Sequence, residues 1–238
     1  MNKLYKMICA ACALVLLNTS TILADSSNFA GPYVGLSVIG LGAEMDGQSN
    51  STAGESSAST TDLTVGQTAV ASGVELGYVL PLGNVMLLDV GASYLHGEAK
   101  YRGKSSDTTG SGPNAGQHAG DVSFTVNEHV TYYIAPTIAL SDTSSIYIKA
   151  SHTSADIGVT GDITTPGNLE GQGWAVGTRT VLENGIFIRT EAGVTEYNGI
   201  SAHGKGAGVS GQDLIDSTTS YAAEPTIIQG TVSIGLRF

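Results

Sequence analysis

His152-Thr153-Ser154 is the one place where residue types and spacing suggest covalent chemistry. Residues two apart on a β-strand share a face, so an imidazole would lie beside a hydroxyl. An imidazole that takes the hydroxyl proton makes serine a nucleophile, provided a third, acidic group orients the imidazole. Glu128, Asp156 and Glu170 are the acids in range, and spacing does not choose among them. The competing reading is two polar residues where a strand leaves an apolar environment. The chain is expected not to be an enzyme, with His152 and Ser154 as the candidates that could overturn this.

A second constellation is electrostatic. Glu75, Asp89 and Glu191 together with Lys149, Arg179, Arg189 and Arg237 fall within alternating apolar segments, always on the face opposite the apolar residues. Charges enclosed at that density have to pair, because breaking a buried pair costs ~3–5 kcal/mol. They form either a polar core that fills an interior or a gate whose pairs rearrange to open a pore. The remaining histidines offer less: His96 is alone on an outer face, His129 points inward alone, and His118 and His203 lie in polar stretches. Metal sites need three or four converging ligands, so no metal is expected. The glycines show no phosphate-loop spacing, and no cofactor is expected.

These side chains need strands to hold them. Lys3 and Lys6 precede an apolar run from Met7 to Leu17, and Ile22-Leu23-Ala24 ends on a small residue. That is the pattern of a secretory signal peptide over residues 1–24, cleaved after Ala24, and the run is too short for a spanning helix. Both cysteines, Cys9 and Cys12, would leave with it, so no disulfide is expected in residues 25–238. The formal charge of −11 becomes −13 without the two lysines, which argues against a nucleic-acid partner.

Four polar stretches, near residues 46–66, 102–120, 160–168 and 201–220, alternate with three tight turns. The turns are Pro81-Leu82-Gly83-Asn84, Ser141-Asp142-Thr143-Ser144 and Glu183-Asn184-Gly185, and Asn-Gly is a strong hairpin signal. Four long loops and three short turns require eight strands. Period two runs through them: Met86, Leu88, Val90, Ala92 and Tyr94 oppose Leu87, Asp89, Gly91 and Ser93. The reading is all-β, a closed antiparallel eight-stranded up-and-down barrel across a membrane, with short turns on one side and long loops on the other. On its apolar face Tyr94, Tyr132 and Trp174 fall about one spanning strand from the nearest short turn, and Tyr78 and Phe238 near the turns, as two interface girdles would require. Lys100, Arg102 and Lys104 open the second loop and could meet lipopolysaccharide phosphates.

The opening Phe29-Ala30-Gly31-Pro32-Tyr33-Val34-Gly35-Leu36 and the ending Val232-Ser233-Ile234-Gly235-Leu236-Arg237-Phe238 resemble those of the OmpA-type and opacity-type small outer-membrane β-barrels. The resemblance covers residues 25–238. It implies location in the outer membrane of a Gram-negative bacterium, contact with outer-membrane lipid and lipopolysaccharide, and insertion by the barrel-assembly machinery. Val232, Ile234, Leu236 and Phe238 would be the assembly signal. For function it implies a structural or surface-interaction role through long external loops, with a possible extracellular ligand. A narrow, porin-like passive channel is the alternative. A second alternative rests on His152-Thr153-Ser154, which resembles the His-x-Ser pair of PagL-type lipid A deacylases, although Ala155-Asp156 follows where that family has asparagine.

Overall fold

In the computed structural model the backbone is described for residues 25–51, 59–96, 99–103, 122–160, 164, 167–203 and 220–238. The leader read over residues 1–24 lies outside them. Strands β1 (Gly31–Ser51), β2 (Ser59–Pro81), β3 (Met86–His96), β4 (Ala99–Gly103), β5 (Val122–Ala139), β6 (Ser144–Thr160), β7 (Leu169–Val181), β8 (Ile186–Tyr197), β9 (Ile200–His203) and β10 (Ser220–Arg237) form one sheet. Each barrel strand pairs antiparallel with its neighbour, and β1 pairs with both β2 and β10. That last pairing closes the sheet. β4 pairs with β5 above β3, and β9 with β10 above β8, so ten strands make eight staves.

The expected eight-stranded closed barrel is therefore the observed fold, and two boundaries differ. The first long polar stretch, read over 46–66, is largely strand: β1 and β2 stay in register out to Ser51↔Ser59. Val and Thr, as in Thr60, Thr61, Thr64 and Val65, favour extended backbone whatever their polarity. A strand needs roughly 9–11 residues to span the hydrocarbon. β1, with 21 residues, and β2, with 23, therefore stand well beyond it.

The second difference lies at the other end. Phe29 does not open the first strand. It belongs to a short 3-10 turn, Ser26–Phe29, and is 1 % exposed. There it joins Tyr33, Val79, Leu87, Ala139, Val181 and Phe187 in an apolar cluster that stoppers the short-turn mouth. Ser26 is tied down by its N–H to Asn84 O at 2.9 Å and by its hydroxyl to Gly83 O. The chain enters β1 at Gly31, whose φ of +117° is closed to most side chains and whose absent Cβ would meet Phe238 O at 2.6 Å. The Asn184-Gly185 turn has both residues at positive φ, 64° and 76°, as a two-residue hairpin turn requires.

Inward aromatic rings are seated on glycines. Tyr33 pairs across strands with Gly77, Tyr133 with Gly91, Tyr147 with Gly177, Phe187 with Gly235 and Tyr197 with Gly171. A methyl group at Gly177 would lie 2.4 Å from Tyr147 Cζ, and one at Gly235 2.3 Å from Phe187 Cζ. Each ring thus lies flat over its neighbour's backbone, which lets five large residues share a narrow lumen. Gly177→Ala is expected to destabilise the barrel by about 1–3 kcal/mol, the usual cost of overpacking. Gly230→Ala, with nothing within 4 Å of the added methyl, should leave the urea midpoint of the folded protein unchanged.

Candidate functional site

The lumen face carries the charged residues, and strand parity explains why. Along each strand alternate side chains turn to opposite faces, and Glu75, Asp89, Lys149, Arg179 and Arg189 are all buried. Arg189, 2 % exposed, is the hub. Its Nη1 lies 3.4 Å from Glu75 Oε2 and 3.7 Å from Asp89 Oδ2, and its Nη2 lies 3.8 Å from Glu191 Oε2. Arg179 Nη2 donates to Asp89 Oδ2 at 2.8 Å, and Lys149 Nζ pairs with Glu191. Three acids and three bases balance.

Tyrosine hydroxyls fill the gaps between the charges. Tyr33 donates to Asp89 at 2.8 Å and is hydrogen-bonded to Tyr133, while Arg189 donates to both hydroxyls at 3.2 Å. Tyr147 donates to Glu191 at 3.1 Å. The guanidinium carbons lie over rings as well, Arg179 over Tyr33 at 4.5 Å and Arg189 over Tyr147 at 4.8 Å. Such stacking suits a weakly hydrated planar cation in an enclosed space. Glu75 Oε1 is left buried with no hydrogen-bond partner among the described residues.

Above this layer is a polar chamber of about 30 Å³, lined in part by Ser37, Ser93, Thr131 and Ser233. That is room for one or two water molecules and no more. A second apolar cluster, Ala155, Ile157, Leu169 and Tyr197, packs near the long-loop ends. The lumen is thus stoppered by apolar side chains at the short-turn end and cross-linked by charge above them, with a further apolar cluster on the β6–β7–β8 wall.

Two sequence readings need correction. His129 does turn inward, yet not alone: its Nε2 is hydrogen-bonded to the Tyr197 hydroxyl. The two strands that separate β5 from β8, β6 and β7, hid that contact, since neither strand neighbours the other. Arg237 is not part of the central network. Its Nη1 donates to Ala30 O at 3.0 Å and Ser27 O at 3.4 Å, so it clamps the segment before β1. Sequence parity gives a residue's face but not its height against a segment that folds back.

The outer face reads differently. Leu36, Leu76, Ile134, Val176, Val232 and Ile234 are exposed, as are Tyr78, Tyr94, Tyr132, Trp174 and Phe238. An exposed apolar belt of this extent would aggregate in water, whereas a closed barrel has no unpaired backbone to exclude it from lipid. Outward acids on the described strands, Glu44, Asp156, Glu170, Glu196 and Glu224, lie toward the long-loop ends, roughly eleven or more residues from the short turns, beyond one spanning length. A shallow concavity of about 650 Å³ crosses the outer wall over β8, β10, β1, β2 and β3, floored by Leu36, Val38, Val74, Val232 and Ile234.

His152 and Ser154 share the outer face, as parity required. Ser154 is in register with Glu170, while His152 is flanked by Tyr132 and Gln172. Asp156 follows on the same face and is exposed. The Glu128 side chain lies outside the described residues. Among the described residues no hydrogen bond links His152 to Ser154 or to an acid. His96 is exposed on the outer wall beside Tyr94 and Ser72. Lys100 and Arg102 pair in backbone register with Thr125 and Ser123. Their side chains, and Lys104 and His118, lie outside the described residues. No group of three metal-ligating side chains occurs among the described residues.

No protein-family model matches the sequence, and no curated protein resembles it. Solved structures do. The outer membrane protein OprG from Pseudomonas aeruginosa superposes with a TM-score of 0.54 at 8% identity, over 91% of this chain and all of that one. Neisserial surface protein A covers 88% of this chain and 98% of its own at 10% identity, with a TM-score of 0.40. The outer membrane protease OmpT from Escherichia coli covers 87% and 97% at 10% identity, with a TM-score of 0.44. The chain has the fold of the small outer-membrane β-barrels.

Two outcomes follow from this geometry. Arg189→Ala is expected to cost ~3–5 kcal/mol in urea unfolding of the folded barrel, because it strands Glu75 and half of the pairing of Asp89 and Glu191. Arg189→Ala combined with Glu75→Gln should recover part of that loss. Ser154→Ala is expected to leave the acylation of lipid A in the host unchanged, as read by mass spectrometry of extracted lipid A.

Proposed function

We propose that the protein is an integral barrel of a Gram-negative outer membrane whose lumen is closed, and whose role is structural or surface-interacting, carried by the parts beyond the bilayer. The observation that supports this most directly is the packed lumen: an Arg189-centred network above the Phe29 cluster, with a chamber of about 30 Å³ beside it among the described residues. An eight-stranded barrel is just wide enough for its interior side chains to fill it. A solute pathway would require that cluster and the network to move together.

The tall staves supply surface instead. β1, β2, β5, β6 and β10 have 17 to 23 residues, against 11 to 13 for β3, β7 and β8. The excess raises paired strands, and the segments they carry, above the membrane on the long-loop side, where an extracellular ligand would meet them. Lipopolysaccharide is the neighbouring partner by the same reading, with Lys100, Arg102 and Lys104 as its phosphate contacts, since clustered bases attract anionic headgroups. Val232, Ile234, Leu236 and Phe238 on the outer face of β10 serve recognition by the assembly machinery, a role that Phe238→Ala would test through the yield of inserted protein.

Purified protein in planar bilayers is expected to show no discrete wide-pore steps. Recurrent large steps from the wild-type barrel would overturn the closed-lumen reading. A deletion strain should show altered adhesion or surface recognition with unchanged small-solute uptake; the reverse pattern would favour a channel.

A further inference from the structure

The segment before β1 is held at nearly every residue by a different part of the short-turn end. The backbone nitrogen of Asp25 lies 2.9 Å from Asp142 Oδ1, on the turn between β5 and β6. The Asp25 carboxylate accepts the Ser27 N–H at 2.9 Å. Ser26 is bonded to the β2–β3 turn, Phe29 fills the mouth, and Arg237 of the last strand holds the carbonyls of Ser27 and Ala30. Asp25 is also the residue that follows Ala24, where the sequence places leader cleavage.

We propose that Asp25 is the mature amino terminus and that Asp142 is its receptor, so that leader cleavage creates the ion pair that latches the stopper in place. The proposal rests on the exported-barrel reading and adds to it a processing site and a purpose for Asp142. A leader peptidase adds water across the Ala24–Asp25 peptide bond. The carbonyl carbon of Ala24 leaves as a carboxylate, and the Asp25 nitrogen, released as an amine, takes up a proton. Before cleavage that nitrogen is a neutral amide donating one hydrogen bond. Afterwards it is an ammonium at the same point, facing a carboxylate.

Among the described residues, one carboxylate is in contact with this nitrogen. Asp142 faces it from the β5–β6 turn, and its own carboxylate is engaged by Ser27, whose N–H and hydroxyl hold it below the usual carboxylate range. The Arg237 guanidinium approaches the same segment from the far side, through the carbonyls of Ser27 and Ala30. The net field of the two acids favours the charged amine, whose ordinary pKa is about 7.7–8.0. A raised value makes the latch present at neutral pH and lost as pH rises through it.

Protein extracted from outer membranes is expected to have the intact mass of residues 25–238; a different start overturns the assignment. An amine-selective acylating reagent at pH 7.5 should label the α-amino group of Asp142→Asn about threefold faster than that of the wild type, the size of shift an exposed pair gives. Asp142→Glu should restore slow labelling. Equal rates in a chain that starts at Asp25 would sink the latch while leaving the exported barrel standing. Retention of residues 1–24 in membrane-inserted protein would sink the processing site itself. A version refolded with an additional methionine before Asp25 keeps the fold testable, since Asp142→Asn should then change labelling by less than in the natural chain.

Discussion

Arg179 and Arg189 stand directly opposite each other on β7 and β8, and both are buried. Two like charges in direct register are unfavourable on a sheet, more so where water is excluded. Asp89 resolves the conflict by reaching across the lumen from β3 to lie 2.8 Å from one guanidinium and 3.7 Å from the other. Glu75 from β2 and Glu191 from β8 complete the neutralisation. Staves on opposite walls are thereby held at a fixed spacing, since Asp89 of β3 pairs with Arg179 of β7 across the lumen of the closed barrel. Apolar side chains could have filled this volume with no desolvation cost. What the ionic version adds is register, because a one-residue slip of any stave turns its charge into lipid.

The same economy of space governs the wall. Where the inner face carries Tyr33, Tyr133, Tyr147 and Phe187, the neighbouring stave supplies glycine. Along β10, β1 and β2 small residues recur on the inner face, at Gly35, Ser37, Gly73, Ser233 and Gly235. The outer concavity lies over those same staves.

The parts of this arrangement that are periodic were legible in the chain. Parity assigned Glu75, Asp89, Lys149, Arg179, Arg189 and Glu191 to the lumen and Tyr94, Tyr132 and Trp174 to the outside, because each strand repeats one geometric rule. Three things were not legible, for different reasons. Phe29 looked like the first strand residue because an aromatic before glycine fits either a strand or a turn; only the depth of the mouth decides. Residues 46–66 looked like loop because composition reports solvent contact, and a hairpin above the membrane is solvated and paired at once. His129 and Tyr197 meet across the lumen, and no pattern along one strand encodes the height of another. The His152 and Ser154 placement was legible as a shared face, but the acid that would make it chemistry depends on register, which puts Glu170 opposite the serine and leaves the histidine between Tyr132 and Gln172.

Where the molecule can act follows from how its rigidity is distributed. The spanning section is cross-linked by ion pairs, seated rings and the apolar stopper of the short-turn end, so a change there must break several contacts at once. The short-turn end is likewise fixed, through Ser26, Phe29 and Arg237. Above the bilayer the contacts become single-layered: β4 pairs with β5 and β9 with β10, while the upper part of β2 has β1 as its strand neighbour among the described residues. The asymmetry of cross-linking runs the same way as the asymmetry of height: among the described residues the ion pairs, seated rings and apolar clusters gather in the barrel, and the strand extensions rise beyond it.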